Sequence, residues 1–223
     1  MKFLPIKNQT EAAEILAAKI ADSLKQDKKV LWLLSGGSNI PLSVSALEIL
    51  KTLFSKKTLK ANLAVTLTDE RYGPVSYPFS NWQHLIKDGF KLKEVKAVPV
   101  LSGLSLEETV KEFEQNYKKL TQWADIIIGQ FGIGVDGHIA GVLPDTIGVN
   151  SKEIACAYEA VRFTRISLTL NTIKNISVVY AFVFGSAKKT MLHIFHNHAS
   201  SLEEMPALIL KHIPEAYLYS DQA

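Results

Sequence analysis

The feature that most constrains this chain is a series of short, continuous apolar runs. Each is stopped by a polar or glycine-rich cluster, and segments of helical periodicity separate them. Val30-Leu31-Trp32-Leu33-Leu34 ends in Ser35-Gly36-Gly37-Ser38, Leu63–Leu67 in Thr68-Asp69-Glu70-Arg71, Ile126-Ile127-Ile128 in the glycine-rich stretch 129–141, and residues 178–184 in Gly185. An apolar run without polar alternation fits a strand covered on both faces, as in a parallel sheet. Residues 9–26, 41–54, 106–120, 187–196 and 201–212 place apolar side chains at helical spacing, and Ser80 can cap a helix starting near Asn81. Residues 166–170 and 216–219 read as further strands. This alternation predicts an α/β fold with a mainly parallel sheet, as one domain over 1–223. No linker, low-complexity tract or fixed-period repeat interrupts it.

Composition then narrows the function classes. A hydrophobic content of 47% with Gly 12 and Pro 8 excludes a disordered or fibrous chain. No apolar run approaches the roughly 20 residues of a membrane span. The first ten residues lack the apolar core and cleavage site of a secretion signal, and the single cysteine, Cys156, cannot form an internal disulfide. The expectation is a cytoplasmic protein whose one thiol lies in the core. Lys+Arg 25 against Asp+Glu 22 gives a net charge of +3, interspersed, which argues against nucleic acid and suits a small anionic ligand.

In a parallel sheet, ligands bind beyond the carboxyl ends of the strands. The clusters 35–38, 68–71, 132–138 and 185–188 all fall there, which predicts one site. Ser35-Gly36-Gly37-Ser38 joins a strand to a helix. Its glycines let backbone amides approach an anion, its serines can donate to phosphate oxygens, and the helix start adds partial positive charge. It lacks the Gly-Lys-Ser/Thr ending of a nucleotide P-loop, and a plain tight turn would use the same glycines. Asp69-Glu70-Arg71 reads either as a solvated turn with a local ion pair or as a charged group at the rim of a site. Gly132-Ile133-Gly134-Val135-Asp136-Gly137 matches the dinucleotide fingerprint literally. Pro144 leaves too little room for the helix that fingerprint requires, so the match is rejected.

His138, directly after these glycines with Asp136 nearby, can serve as a general base, although the two side chains need not touch. A histidine hydrogen-bonded to hold the loop is the alternative. Arg165 and Lys188, near the ends of late strands, suit a dianionic phosphate, the first by its fork and the second as a point charge; surface solvation would suit either alone. His193, His196 and His198 have a spacing that could hold a metal, but no acidic or thiol partner converges on them, and they read as helix-end surface residues. No metal is expected.

Taken in order, Ser35-Gly36-Gly37-Ser38, Asp69-Glu70-Arg71 with Ser80-Asn81, Gly132 through Ala140, Arg165-Ile166-Ser167-Leu168-Thr169-Leu170 and Gly185-Ser186-Ala187-Lys188 resemble the motifs of the 6-phosphogluconolactonases. That family lies in a superfamily that includes the glucosamine-6-phosphate deaminases. The resemblance implies a single-domain three-layer α/β/α sandwich, modified Rossmann-like, and a cofactor-free hydrolase of 6-phospho-D-glucono-1,5-lactone in the oxidative pentose phosphate pathway. Its partner is a small phosphorylated sugar lactone, without nucleic acid or membrane, bound by a monomer or small homo-oligomer. By position, His138 becomes the base that activates water. Arg165, Lys188 and the 35–38 loop hold the 6-phosphate, and Asp69 and Arg71 line the sugar end.

Two departures stand out. The family's Gly-Gly-Ser-Thr-Pro is here Gly37-Ser38-Asn39-Ile40-Pro41, with the proline displaced by one. Where deaminases carry Phe-Asn-Glu-Pro after Asp-Gly-His-Ile-Ala, this chain has Gly141-Val142-Leu143-Pro144, and where they carry Asp-Glu-Tyr it has Asp69-Glu70-Arg71. Both deaminase differences point to the lactonase. A deaminase or isomerase, or a non-catalytic sugar-phosphate sensor, remains the alternative. The oxyanion stabiliser is either the amides of the glycine-rich loop or Arg71.

Overall fold

A computed structural model describes residues 1–197 and 200–222. His198 lies outside these residues. The strands are β1 (Lys2–Pro5), β2 (Val30–Leu34), β3 (Leu63–Leu67), β4 (Asp69–Arg71), β5 (Lys96–Ala97), β6 (Ile126–Phe131), β7 (Ala155–Glu159), β8 (Thr164–Leu168), β9 (Val178–Val183) and β10 (Glu215–Ser220). The helices are α1 (Gln9–Lys25), α2 (Ile40–Leu53), α3 (Lys56–Asn62), α4 (Asn81–Lys87), α5 (Leu106–Trp123), α6 (Ile147–Asn150), α7 (Leu170–Ile173) and α8 (Lys189–Asn197).

A seven-stranded, wholly parallel sheet runs in the order β1-β10-β9-β6-β2-β3-β5. β2, β3 and β9 are buried at every position, which is why their sequences are unbroken apolar runs. From β2 the chain moves to β3 on one side, while from β6 it moves to β9 on the other. Right-handed crossovers therefore put α1 and α2, which pack against each other, on one face and α5 and α8 on the opposite face. The gap between β2 and β6 is the topological switch point, where two loops diverge and leave a crevice.

A buried side-chain network secures this point. Gln130 of β6 accepts from Trp32 Nε1 at 3.2 Å and from Ser43 Oγ at 2.9 Å, and donates to the Asn39 carbonyl at 3.1 Å. It ties β2, β6 and the start of α2 together. Several helices start where a side chain satisfies their free amides: Asn8 caps α1, Ser80 caps α4, and Ser105 with Glu108 forms a capping box on α5.

A second sheet, antiparallel in the order β4-β8-β7, stands against the crevice. The structure revises four readings of the sequence. Asp69-Glu70-Arg71 is a strand rather than a turn, and Asp69 and Glu70 are buried. The strand placed at 166–170 runs instead over Thr164–Leu168, because Thr169 caps α7 by accepting from the Thr172 amide at 3.3 Å. The helix placed at 201–212 is only a 3-10 turn over Pro206–His212, since Pro206 supplies no amide to an α-helical ladder. The segment 187–196 splits into a 3-10 turn, Ser186–Lys188, and α8. Cys156 is buried in β7, and burial pushes its thiol up to about 11.

Candidate active site

The four clusters converge as the sequence predicts. Residues 35–38 follow β2, Asp69 and Arg71 follow β3, Gly132 through His138 follow β6, and Lys188 follows β9. With Asn81, Ala140 and Arg165 they enclose a pocket of about 230 Å³ at the switch point.

The β6 loop closes on itself. The Gly134 amide donates to the His138 carbonyl at 2.9 Å, and the Gly137 amide to the Gly134 carbonyl at 3.0 Å, with Gly137 at φ +81. No helix follows, so the dinucleotide reading stays excluded. Closure brings His138 Nδ1 to 2.6 Å from Asp136 Oδ1, and the His138 amide adds a bond to the same oxygen at 3.2 Å. A Cβ on Gly134 would lie 2.1 Å from His138 Nδ1 and 2.3 Å from Asp136 Oδ1, so only glycine leaves room for the pair. The imidazole hydrogen bond holds the Asp136 carboxyl down to about 2. An ionised carboxylate only accepts, so it fixes the proton on Nδ1 and leaves the Nε2 lone pair free.

Three cations border this dyad. Lys188 Nζ donates to the Ile133 carbonyl beside the loop, and burial lowers its ammonium pKa, opposed by the charge of Asp136. Arg165 lies directly opposite Arg71 across the β4–β8 ladder. Arg71 donates to the Phe79 carbonyl at 2.8 Å and stacks over the Phe163 ring at 5.3 Å; Arg165 Nη1 stands 3.9 Å from Asp69 Oδ2. The Nε atoms of both guanidinium groups are buried without a partner. Like charges in direct cross-strand register destabilise a sheet, and a bound anion would offset that cost.

The glycine-serine loop is shaped by α4. A Cβ on Gly36 would meet Asn81 Oδ1 at 2.2 Å, and Gly37 sits at φ +65, so both glycines are required. The displaced proline is absorbed: the loop makes a 3-10 turn over Gly37–Asn39, and Pro41 falls in the first turn of α2. Asn81 donates to the Asp69 carbonyl at 3.0 Å and to Asp69 Oδ2 at 3.3 Å, while Thr68 Oγ1 donates to Asp69 Oδ1 at 3.1 Å. Asp69 is thus held rigidly at the pocket wall.

Behind it, Glu70 is fully buried. It accepts from the amides of Arg71, Asn81 and Trp82 at 2.7, 2.6 and 3.1 Å and from Ser80 Oγ at 2.8 Å. The carboxylate therefore clamps β4 to the start of α4. Burial raises its pKa above the ordinary 4.5, and the four hydrogen bonds oppose that rise without cancelling it. A raised folded-state pKa gives stability that is present below 4.5 and lost as pH rises through the folded value. The stability of the wild type relative to Glu70→Gln, measured by denaturant unfolding, should fall with rising pH, since the opposite contribution of Asp136 is common to both proteins. A difference that rises with pH would show that the hydrogen bonds outweigh burial.

Most predicted site residues meet here; Asp136 reaches the pocket only through His138. Gln130 and the clamp of Glu70 were not legible as site-building groups. Gln130 lies at the start of the glycine-rich stretch and Glu70 inside a charged triplet, and neither pattern signals a buried partner. His193 and His196 stand apart from the pocket, and among the described residues no group of three or more His, Cys, Asp or Glu could hold a metal ion.

Comparison with known proteins adds an independent line. The family model of glucosamine-6-phosphate isomerases/6-phosphogluconolactonase matches residues 7–217. A 6-phosphogluconolactonase of Caulobacter vibrioides is 25% identical over 215 residues, covering 86% of this chain and 88% of that protein. A glucosamine-6-phosphate deaminase of Streptococcus sanguinis is 27% identical over 241 residues, covering 100% and 97%. The crystal structure of 6-phosphogluconolactonase from Thermotoga maritima superposes with a TM-score of 0.78 at 18% identity, covering 98% of each chain.

Proposed function

The chain belongs to the family of glucosamine-6-phosphate isomerases and 6-phosphogluconolactonases, and from that premise we propose that it hydrolyses 6-phospho-D-glucono-1,5-lactone to 6-phospho-D-gluconate. The observation that carries this reading is the His138–Asp136 pair, which presents a free imidazole nitrogen at a cationic pocket.

In this reading Nε2 of His138 takes a proton from water as the water oxygen attacks the lactone carbonyl carbon. Asp136 stabilises the imidazolium that forms. The tetrahedral oxyanion is met by amides of the glycine-rich loop or by Arg71. Collapse breaks the bond to the ring oxygen, the imidazolium returns its proton to that oxygen, and the product carboxylic acid ionises. Arg165, Lys188 and the 35–38 loop, all of which line the pocket, hold the 6-phosphate. Asp69 and Arg71 line the sugar end. Water attack is direct in this reading, because among the described residues no serine or cysteine side chain is hydrogen-bonded to His138, whose one side-chain partner is Asp136 at Nδ1.

Specificity for the lactone over an amino sugar rests on the segment 141–144. Gly141 and Val142 are buried, and a Cβ on Gly141 would meet Ser167 and Asp69 at 2.9 and 3.0 Å. The carboxylate that a deaminase places here for ring-opening chemistry has no counterpart in this segment. The 27% identity to a deaminase is the observation that keeps the second reading in play.

One assay series separates the two. Purified protein is given freshly prepared 6-phosphogluconolactone and, separately, glucosamine 6-phosphate, each with and without EDTA. Hydrolysis above the spontaneous rate, unchanged by EDTA and without ammonia release, is expected. Ammonia release with no lactone hydrolysis would make the protein a deaminase.

A further inference from the structure

A second cavity, of about 450 Å³, opens between α8 and the ends of β1 and β10. Its volume is in the range of small-molecule sites. The walls are apolar: Phe3 and Pro5 from β1, Leu192 from α8, Leu218 from β10. The rim is basic, formed by the exposed Lys189, His193 and His196. Among the described residues no carboxylate lines it, and none lies within ion-pair distance of Lys189. The aromatic wall is already in place. Phe3 packs edge-on against His196 at 4.7 Å and against Phe195 at 5.9 Å, and Lys211 Nζ sits 5.8 Å from the Phe3 ring. Apolar walls under a basic rim fit a ligand with an apolar or aromatic body and one anionic group.

The cavity is also joined to the active site. Lys189 follows Lys188 directly, so the turn that delivers Lys188 to the pocket runs straight into the cavity rim. The other end of that turn is held from the opposite wall. The Gly185 amide, at φ +93, donates to the Asp221 carboxylate at 2.9 and 3.2 Å, and the neighbours of Asp221, Ser220 and Gln222, line the cavity. A ligand there lies against Lys189 at one end of the Gly185–Lys188 turn and against Ser220 and Gln222, the neighbours of Asp221, at the other, and adds negative charge beside the turn.

We propose that this cavity is a second binding site, for a small amphiphilic anion, and that its occupancy weakens phosphate binding at Lys188. The coupling rests on the proposed phosphate role of Lys188, whereas the binding site does not. Coupling between sites is reciprocal: phosphorylated ligand must weaken the anion by the same factor.

The test uses 8-anilinonaphthalene-1-sulfonate as the probe and 6-phosphogluconate as the active-site ligand, with wild type, Leu192→Glu and Lys189→Glu. Leu192→Glu puts a carboxylate inside the cavity, and Lys189→Glu reverses the rim charge. Neither residue lines the catalytic pocket; because each new carboxylate itself sits near the turn, each variant's own Kd for 6-phosphogluconate is the baseline against which the probe's effect is read. Saturable fluorescence is expected in wild type and should be at least about tenfold weaker in both variants. The probe should raise the Kd of 6-phosphogluconate by about fivefold, the low end of usual coupling, in wild type alone. Absence of saturable binding, or equal binding in all three proteins, overturns the site. Equal competition with 6-phosphogluconate in all three would place the probe in the active site and also overturn it. Cavity binding without any effect on 6-phosphogluconate overturns the coupling. Failure of 6-phosphogluconate to bind at all would instead refute the functional reading and leave the cavity result standing.

Discussion

His138→Asn is expected to lower kcat by about 10²–10⁴-fold, the usual contribution of a positioned general base. Asparagine is close to histidine in size and keeps a hydrogen-bonding group within reach of Asp136, so the loop closed by Gly134 and Gly137 should survive. It cannot take a proton from water near neutrality. Affinity for 6-phosphogluconate, measured by calorimetry, should therefore change little, and the loss should fall on the chemical step. Asp136, held down to about 2, stays ionised at neutral pH and keeps its place as acceptor of the imidazole hydrogen bond. Asp136→Asn should weaken kcat as well, because the proton would no longer be fixed on Nδ1. If His138→Asn kept kcat within about threefold of wild type, well short of a general base's contribution, His138 would be a loop residue. Asp69 would then be the next candidate for the base.

Arg165→Ala and Lys188→Ala should each raise KM for the phosphorylated lactone by about 10- to 150-fold, the equivalent of one charge-assisted bond of about 1.5–3 kcal/mol. Unphosphorylated gluconolactone should discriminate far less between these variants and wild type. Arg165 allows a sharper check, because its cross-strand partner is Arg71. Removing one of two opposed guanidinium groups relieves repulsion. Loss of the ion pair to Asp69 opposes that relief, so the variant's Tm should change little while phosphate affinity falls. Equal loss on both lactones, or a large fall in Tm, would show that Arg165 holds the sheet rather than the substrate.

The chain's fold is legible wherever burial is symmetrical. β2, β3 and β9 are covered on both faces, so no polar residue interrupts them and each strand shows as an apolar run. Their ends are equally plain, since polar and glycine residues gather where the sheet gives way to a crevice. β1 was missed because it is a four-residue edge strand, partly exposed, with no such run. β4 was missed because a strand written Asp-Glu-Arg has no apolar alternation at all; it is defined by pairing with β8 and by the amides that Glu70 caps. α7 and the Pro206–His212 turn were misassigned because capping and a proline override apolar spacing.

The same division runs through the site. The sequence by itself determined which groups stand at the carboxyl ends of the strands: an anion-suited glycine-serine loop, a histidine among glycines, and basic residues near two late strands. Local patterning is enough for that, because strand ends and turn glycines are properties of neighbouring residues. Only the tertiary structure decided that Asp136 touches His138, since the contact depends on how Gly134 closes the loop. Only the tertiary structure set Arg71 against Arg165 and buried Glu70 under α4, because register between strands remote in the chain is chosen by the packing of the whole sheet.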